Sequence, residues 1–214
     1  MKNRLTHLTV IIATLMALTA CTTAAAGNPT PDQTTSTQTG NPSSPDETQP
    51  TDDLPSDGAP KVENPIDAGR FEQSPCDVLT AAQADELRIG PEGTRADTDI
   101  GNGCTWHNSK TGGDLAIGFL TNYDQGLSSL YRAHNLGDFE YFEPIANLEG
   151  FPAVAWDSDD KKPVSDCTIS VGLTDNLSMQ STTGLSRDNV GEVDPCEVAA
   201  MATGKMLVTM RAGT

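Results

Sequence analysis

The sequence predicts an α+β domain, a mainly antiparallel sheet packed by N- and C-terminal helices and held by two disulfides. Three observations carry this expectation: short strand-like stretches follow one another between residues 104 and 182, helix signals stand at both ends of that run, and Cys76, Cys104, Cys167 and Cys196 form an even set of cysteines. Consecutive strands with helices gathered at the ends define the class.

The chain opens with Lys2 and Arg4, continues through a mostly apolar run over residues 8–18, and reaches Thr19 and Ala20 before Cys21. A basic start, a short apolar run and a small-residue site make residues 1–20 a secretory signal. The run is shorter than the about 20 residues a spanning helix takes. Leu18-Thr19-Ala20-Cys21 resembles the bacterial lipobox, which implies acylation of Cys21 and a place at the cell membrane, lipid-anchored and facing the extracytoplasmic side. Two or three acyl chains hold a protein stably where one is marginal, since each buried methylene contributes about 0.8 kcal/mol. The expected partner of this end is the membrane.

Residues 21–70 follow as the lipidated cysteine and a tether. Positions 22–70 hold 8 Pro, 9 Thr and 4 Ser, no aromatic residue, and only Leu54, Val62 and Ile66 as large aliphatics. Such a composition buries too little apolar surface to offset its ordering entropy, so the segment is expected to be disordered. As a flexible coil it would span about 35 to 40 Å, stiffened by its prolines. Loss of Lys2 and Arg4 with the signal takes the formal net charge from -17 to -19. That charge disfavours nucleic acid and anionic headgroups and favours cationic partners.

All aromatic residues lie from Phe71 onward, and residues 71–214 are expected to form a single domain. A domain of that length buries about two-thirds of its unfolded surface, enough for one core. Ser74-Pro75-Cys76-Asp77 reads as a short turn, and Thr80-Ala81-Ala82-Gln83 as a capping box that opens a helix to about Arg88, stopped at Gly90. Residues 113–121 and the stretch around Cys104, Thr105 and Trp106 read as strands. Leu127, Leu130, Tyr131 and His134 mark a short helix from about Asp124. Further strands are expected over 139–144, 151–157, 167–174 and 177–182, with a tight turn at Thr174-Asp175-Asn176. The last helix has Asp194 as cap, Pro195 at its first position and Gly213 at its end. Its apolar face reads as Val198, Met201, Ala202, Met206, Val208 and Met210, broken by Lys205.

Four cysteines in an exported domain form a disulfide framework, and three pairings are open to them. Pro75-Cys76-Asp77-Val78 and Pro195-Cys196-Glu197-Val198 each place a cysteine in the first turn of a helical segment, whereas Cys104-Thr105 and Cys167-Thr168 place one on a strand. This symmetry predicts Cys76 with Cys104 and Cys167 with Cys196, each pinning a terminal helix to the sheet.

The stretches SPCDVLTAAQADEL, CTW, GFPAV, DCTISVGL and DPCEVAAMATGKML together resemble the actinobacterial lipoproteins grouped as domain of unknown function 3558, over roughly Cys76 to Met210. The resemblance implies a secreted, lipid-anchored, cysteine-bridged module and no assigned activity.

Chemistry-bearing patterns are sparse. Cys104-Thr105-Trp106-His107 has a C-x-x-H spacing, but an oxidising compartment favours the disulfide over zinc. Asp97-Thr98-Asp99-Ile100-Gly101-Asn102-Gly103 begins like a calcium loop, with Asn108 where a bidentate Glu is required, and the acidic run from Asp157 is interrupted by Lys161. Ser128 and Ser186 lack the second glycine of a nucleophile elbow. No catalytic residue, metal or cofactor is therefore expected. The reading is a non-enzymatic envelope lipoprotein that binds a protein or another envelope component. A second reading is a carrier of a lipid or other apolar ligand lined by Met179, Met201, Met206 and Met210, which requires an enclosed volume of about 300 Å3 or more. A third is a hydrolase, for which only His107 and His134 would remain as base.

Overall fold

The computed structural model describes residues 53–159 and 161–213. Among these residues, β1 (Thr94–Thr98), β2 (Gly101–His107), β3 (Asp114–Phe119), β4 (Tyr141–Leu148), β5 (Phe151–Asp157), β6 (Asp166–Gly172) and β7 (Ser178–Gly184) form one sheet in the spatial order β1-β2-β3-β7-β6-β5-β4. Every neighbouring pair is antiparallel. The chain builds three strands as a meander, crosses to the far edge through α3 (Ser128–Leu136), and returns as four strands that end against β3. Helix α1 (Gly69–Gln73), a 3-10 turn (Pro75–Val78) and α2 (Ala81–Glu86) precede the sheet, and α4 (Pro195–Ala212) follows it. The class is the expected α+β.

Alternate strand residues face opposite sides. Leu115, Ile117 and Phe119 of β3, Cys167, Ile169 and Val171 of β6, and Met179 of β7 point into the main core with α1, α2 and α4. Helix α4 lies on β6 and β7. Its Thr203 hydroxyl shares a 2.6 Å hydrogen bond with the buried Ser181 hydroxyl of β7 and donates to the Ala199 carbonyl one turn back. The opposite face is covered at one end, where Leu127 and Leu130 pack with Leu120 and Val154.

Local chemistry sets the element ends. The Thr80 hydroxyl accepts from Gln83 N, and Gln83 Oε1 accepts from Thr80 N at 2.8 Å, completing the capping box. The Asp194 carboxylate accepts from Cys196 N at 2.8 Å, with Pro195 in the first turn where its missing N–H costs nothing. Between β6 and β7 the Thr174 hydroxyl accepts from Leu177 N at 2.9 Å. Between β1 and β2 the chain turns through Asp99 and Ile100, and Gly101 (φ 140) lies so close to the Phe119 carbonyl that a side chain would collide with it.

Several boundaries differ from expectation for identifiable reasons. Helix α2 ends at Glu86 because Arg88 turns to φ 58. Helix α3 starts at Ser128 rather than near residue 124, because Gly126 at φ 51 holds a turn there. Strand β4 extends to Leu148 and accommodates Pro144 because it is the edge strand and needs no donor on its outer side. The face of α4 is also rotated. Ala199, Ala202, Thr203, Met206, Leu207 and Met210 are buried, whereas Met201 is 53% and Val208 46% exposed. Small residues let the helix approach the sheet, so a face drawn through its largest apolar side chains lies to one side.

The domain also begins earlier than residue 70. Residues 53–68 run over its surface as a strap, with Val62, Ile66 and Ala68 buried. Ile66 N donates to Leu173 O at 3.0 Å, Val62 N to Asp175 Oδ1 at 2.8 Å, and Ser56 N to Ser128 Oγ at 2.9 Å. The Asp57 carboxylate meets Arg132 of α3 at 3.0 Å; the Ser56 hydroxyl first, and then Arg132, hold its pKa below the ordinary value. Val62 and Leu127 close over Gly172, where a Cβ would meet Val62 Cγ2 at 3.0 Å. The low apolar content of the segment conceals that Val62 and Ile66 are both used as anchors. The rest of the expected tether, and the signal with Cys21, lie outside the described residues.

Burying Val62 and Ile66 contributes about 1.5–3 kcal/mol each. A chain starting at residue 71 is therefore expected to lose about 3–6 kcal/mol relative to one starting at residue 53. Urea unfolding of both would show it as a lower midpoint for the shorter chain, and equal midpoints would return the boundary to residue 70.

Candidate functional site

Cys76 is bonded to Cys104, tying the 3-10 turn to β2, and Cys167 is bonded to Cys196, tying β6 to the first turn of α4. These are the pairs the positional symmetry predicts. Each closes a separation of 28 or 29 residues, which is worth about 3.6 kcal/mol in the chain-entropy model.

The same pairing separates the C-x-x-H residues. Cys104 points into the core and is bonded, whereas His107, an odd number of residues on, faces the other side opposite Asp114. The acidic stretch at residues 97–103 is a hairpin in which Asp97 pairs with Arg95 at 3.2 Å rather than turning inward. Beyond β5, Asp159 N donates to Asp157 Oδ1 at 2.8 Å, while Asp160 lies outside the described residues. No cluster of three metal-ligating side chains occurs among the described residues.

His134, in the last turn of α3, stacks on Phe142 with ring centroids 4.0 Å apart. Among the described residues no serine, cysteine or carboxylate hydrogen-bonds to either imidazole, so the hydrolase reading lacks a nucleophile and base held together. Ser128 is fully buried and serves the strap by accepting from Ser56 N.

The four methionines of the carrier reading do not converge on a cavity. Met179, Met206 and Met210 are fully buried in the packed core, and Met201 is on the surface. Met201 borders a shallow groove of about 500 Å3 with Leu148, Gly204 and Val208. The more enclosed cleft, beside Ile89, Leu115, Thr183 and Ala202, has a volume of about 140 Å3. That is below the roughly 300 Å3 at which pockets for drug-sized ligands begin.

On the side opposite α4 the sheet is exposed at β1, β2 and β3, while α3 covers it at β4, where Tyr131 and His134 pack on Phe142. Following the register across all seven strands, Thr94, Thr105, Ala116, Thr182, Thr168, Trp156 and Phe142 stand in one row on the side opposite α4. Thr94, Thr105 and Ala116 are exposed, and the other four are half-buried. The Thr168 and Thr182 hydroxyls share a 2.9 Å hydrogen bond. At the β4 end, Trp156 donates from Nε1 to Ser170 Oγ at 3.0 Å and packs 4.7 Å from Phe139, forming an aromatic wall beside a floor of small side chains. One row further on stand His107, Asp114, Gly184 and Asp166. Sequence reasoning missed this face because threonine is a good strand former whether or not its side is covered. The alternation of Leu115, Ile117 and Phe119 with Asp114, Ala116 and Gly118 is the signal that points to it.

The two sides differ in their tolerance of charge. Thr105→Lys is expected to change stability by no more than about 0.5 kcal/mol, whereas Ser181→Lys, buried under α4, is expected to cost more than about 4 kcal/mol or prevent folding. Thermal unfolding of the two variants tests this assignment of faces, and a severe loss for Thr105→Lys would contradict it.

These features define a two-disulfide α+β domain built on one antiparallel sheet with a covered and an uncovered face. The chain belongs to the family described as Protein of unknown function (DUF3558), whose model matches residues 16–209. No curated protein and no solved structure matches it.

Proposed function

We propose that the chain is a lipid-anchored lipoprotein on the extracytoplasmic side of the cell membrane, and that its folded head is a non-enzymatic binding module of the cell envelope. The observation that carries this reading is the cysteine inventory. The four cysteines of the head are consumed in two disulfides, which leaves Cys21 alone, and Cys21 follows the basic and apolar run of a secretory signal. Disulfides persist in oxidising compartments, and a lone cysteine at that place is suited to acylation. The uncovered sheet face is the contact surface, since side chains held on strands are placed more rigidly than side chains on loops. With a formal net charge of -19 on the chain after signal removal, a cationic or neutral partner is favoured.

Membrane fractionation with mass analysis of the N-terminal peptide tests the anchor. The full chain is expected in the membrane fraction with an acylated Cys21, and the Cys21→Ala chain in the soluble fraction; a membrane-bound Cys21→Ala chain overturns it. On the anchored protein, a photo-reactive residue at Ala116, in the middle of the uncovered face, is expected to capture an envelope component, while one at Met201 on α4 is not. The reverse result would move the contact to α4.

A further inference from the structure

Two hydroxyls of β7 face α4, and they differ in their partners. Ser181 is paired with Thr203 at 2.6 Å. Thr183, two residues on, is 4% exposed, and its Oγ1 has no hydrogen-bond partner among the described residues. Its partners in the sheet register are Leu115 of β3 and Cys167 of β6, which offer that hydroxyl no useful acceptor or donor. A buried hydroxyl left unpaired costs its desolvation, and valine would fill nearly the same space without that cost.

Thr183 is also part of the wall of the cleft of about 140 Å3. Ile89, from the segment after α2, Leu115 of β3, Leu185 after β7 and Ala202 of α4 make its apolar sides, and Arg88 and Asp188 also line it. A partner for the Thr183 hydroxyl has to arrive through that space. A cavity of about 150 Å3 accommodates a benzene-sized molecule. The lining carries one Arg and one Asp and so no net charge to offset a buried ion, and the oxygen that meets Thr183 belongs to a neutral group.

We propose that this cleft is a binding site for a small neutral amphipathic molecule, an apolar body of about six to seven non-hydrogen atoms carrying one hydroxyl or carbonyl oxygen that hydrogen-bonds to Thr183. The ligand enters between the segment after α2 and the N-terminal half of α4, places its apolar body against Ile89, Leu115 and Ala202, and directs its oxygen to the β7 hydroxyl. This site lies on the α4 side of the sheet, opposite the proposed contact face, and is independent of that reading and of the anchor.

Phenol and toluene, which differ only in the hydroxyl and a methyl, are the probes. The full mature chain carrying Cys21→Ser is titrated with each while the amide resonances of Thr183, Leu185 and Ala202 are followed by NMR, and the titrations are repeated with Thr183→Val added. Saturable shifts with phenol are expected at these residues, and Thr183→Val is expected to lower the ratio of phenol to toluene affinity about fivefold, the worth of one neutral hydrogen bond. The valine protein is expected to melt higher than its parent, so a folding defect does not confuse the comparison. A ratio unchanged by the valine overturns the proposed role of Thr183. Absence of saturable shifts with both probes overturns the site, leaving a structural water as the partner of the hydroxyl.

Discussion

The join between β3 and β7 is the constraint on which the rest of the domain depends. It unites a meander of three strands with a meander of four, and its register runs from Asp114 opposite Gly184 to Phe119 opposite Met179. Side chains alternate with a period of two, so a slip of one residue at this join would turn one meander over relative to the other. Leu115, Ile117 and Phe119 would then lose Ile169, Val171 and Met179 as neighbours in a common core. The same register places Cys104 and Cys167, one from each meander, on the face that receives the terminal segments, so both disulfides presuppose it.

Around that sheet the small elements are too short to stand alone. Helices of five or six residues, such as α1 and α2, are far below the length at which an isolated helix persists in water. Their positions come from tertiary restraints: Cys76–Cys104 holds the turn between them to β2, and Gln83 Nε2 donates to the Lys205 carbonyl of α4 at 3.1 Å. The strap adds a third restraint, because its backbone donors are satisfied by the β6–β7 turn and by α3. The N-terminal third of the domain is thus built from pieces that contribute few apolar residues each and are fixed by polar and covalent links to the sheet.

This explains which parts of the structure could be read from sequence. Strands β3, β5, β6 and β7 have apolar or β-branched runs, α2 and α4 have side-chain caps, and the cysteine positions repeat a turn-and-strand symmetry; all of these are local signals. Strand β1 has none. It is an edge strand of Thr94, Arg95, Ala96, Asp97 and Thr98, recognisable only once β2 lies beside it. The strap was hidden by its composition and the true face of α4 by Gly204 and Thr203, small residues buried because the helix comes close to the sheet. As for the candidate surfaces, alternation hints at the uncovered face, but the unpaired state of Thr183 depends on what three other segments place around it.

The uncovered face is stable without a partner, and this bears on how it would work. Its central strands present hydroxyls, Ala116 and Gln180 rather than large aliphatics, and the indole of Trp156 is half-buried against Phe139 with its N–H satisfied by Ser170. Threonine supports the strands through its branched Cβ while leaving a hydroxyl for water. Such a face does not drive association by hydrophobic burial, which marks obligate interfaces. On the proposed reading its contacts would be specific, polar and reversible, and the strong negative charge of the head would keep neighbouring copies on the same membrane apart. On that reading, a domain held together mainly from its covered side, through α4 and two disulfides, would leave the exposed strands free to exchange partners without disturbing the core.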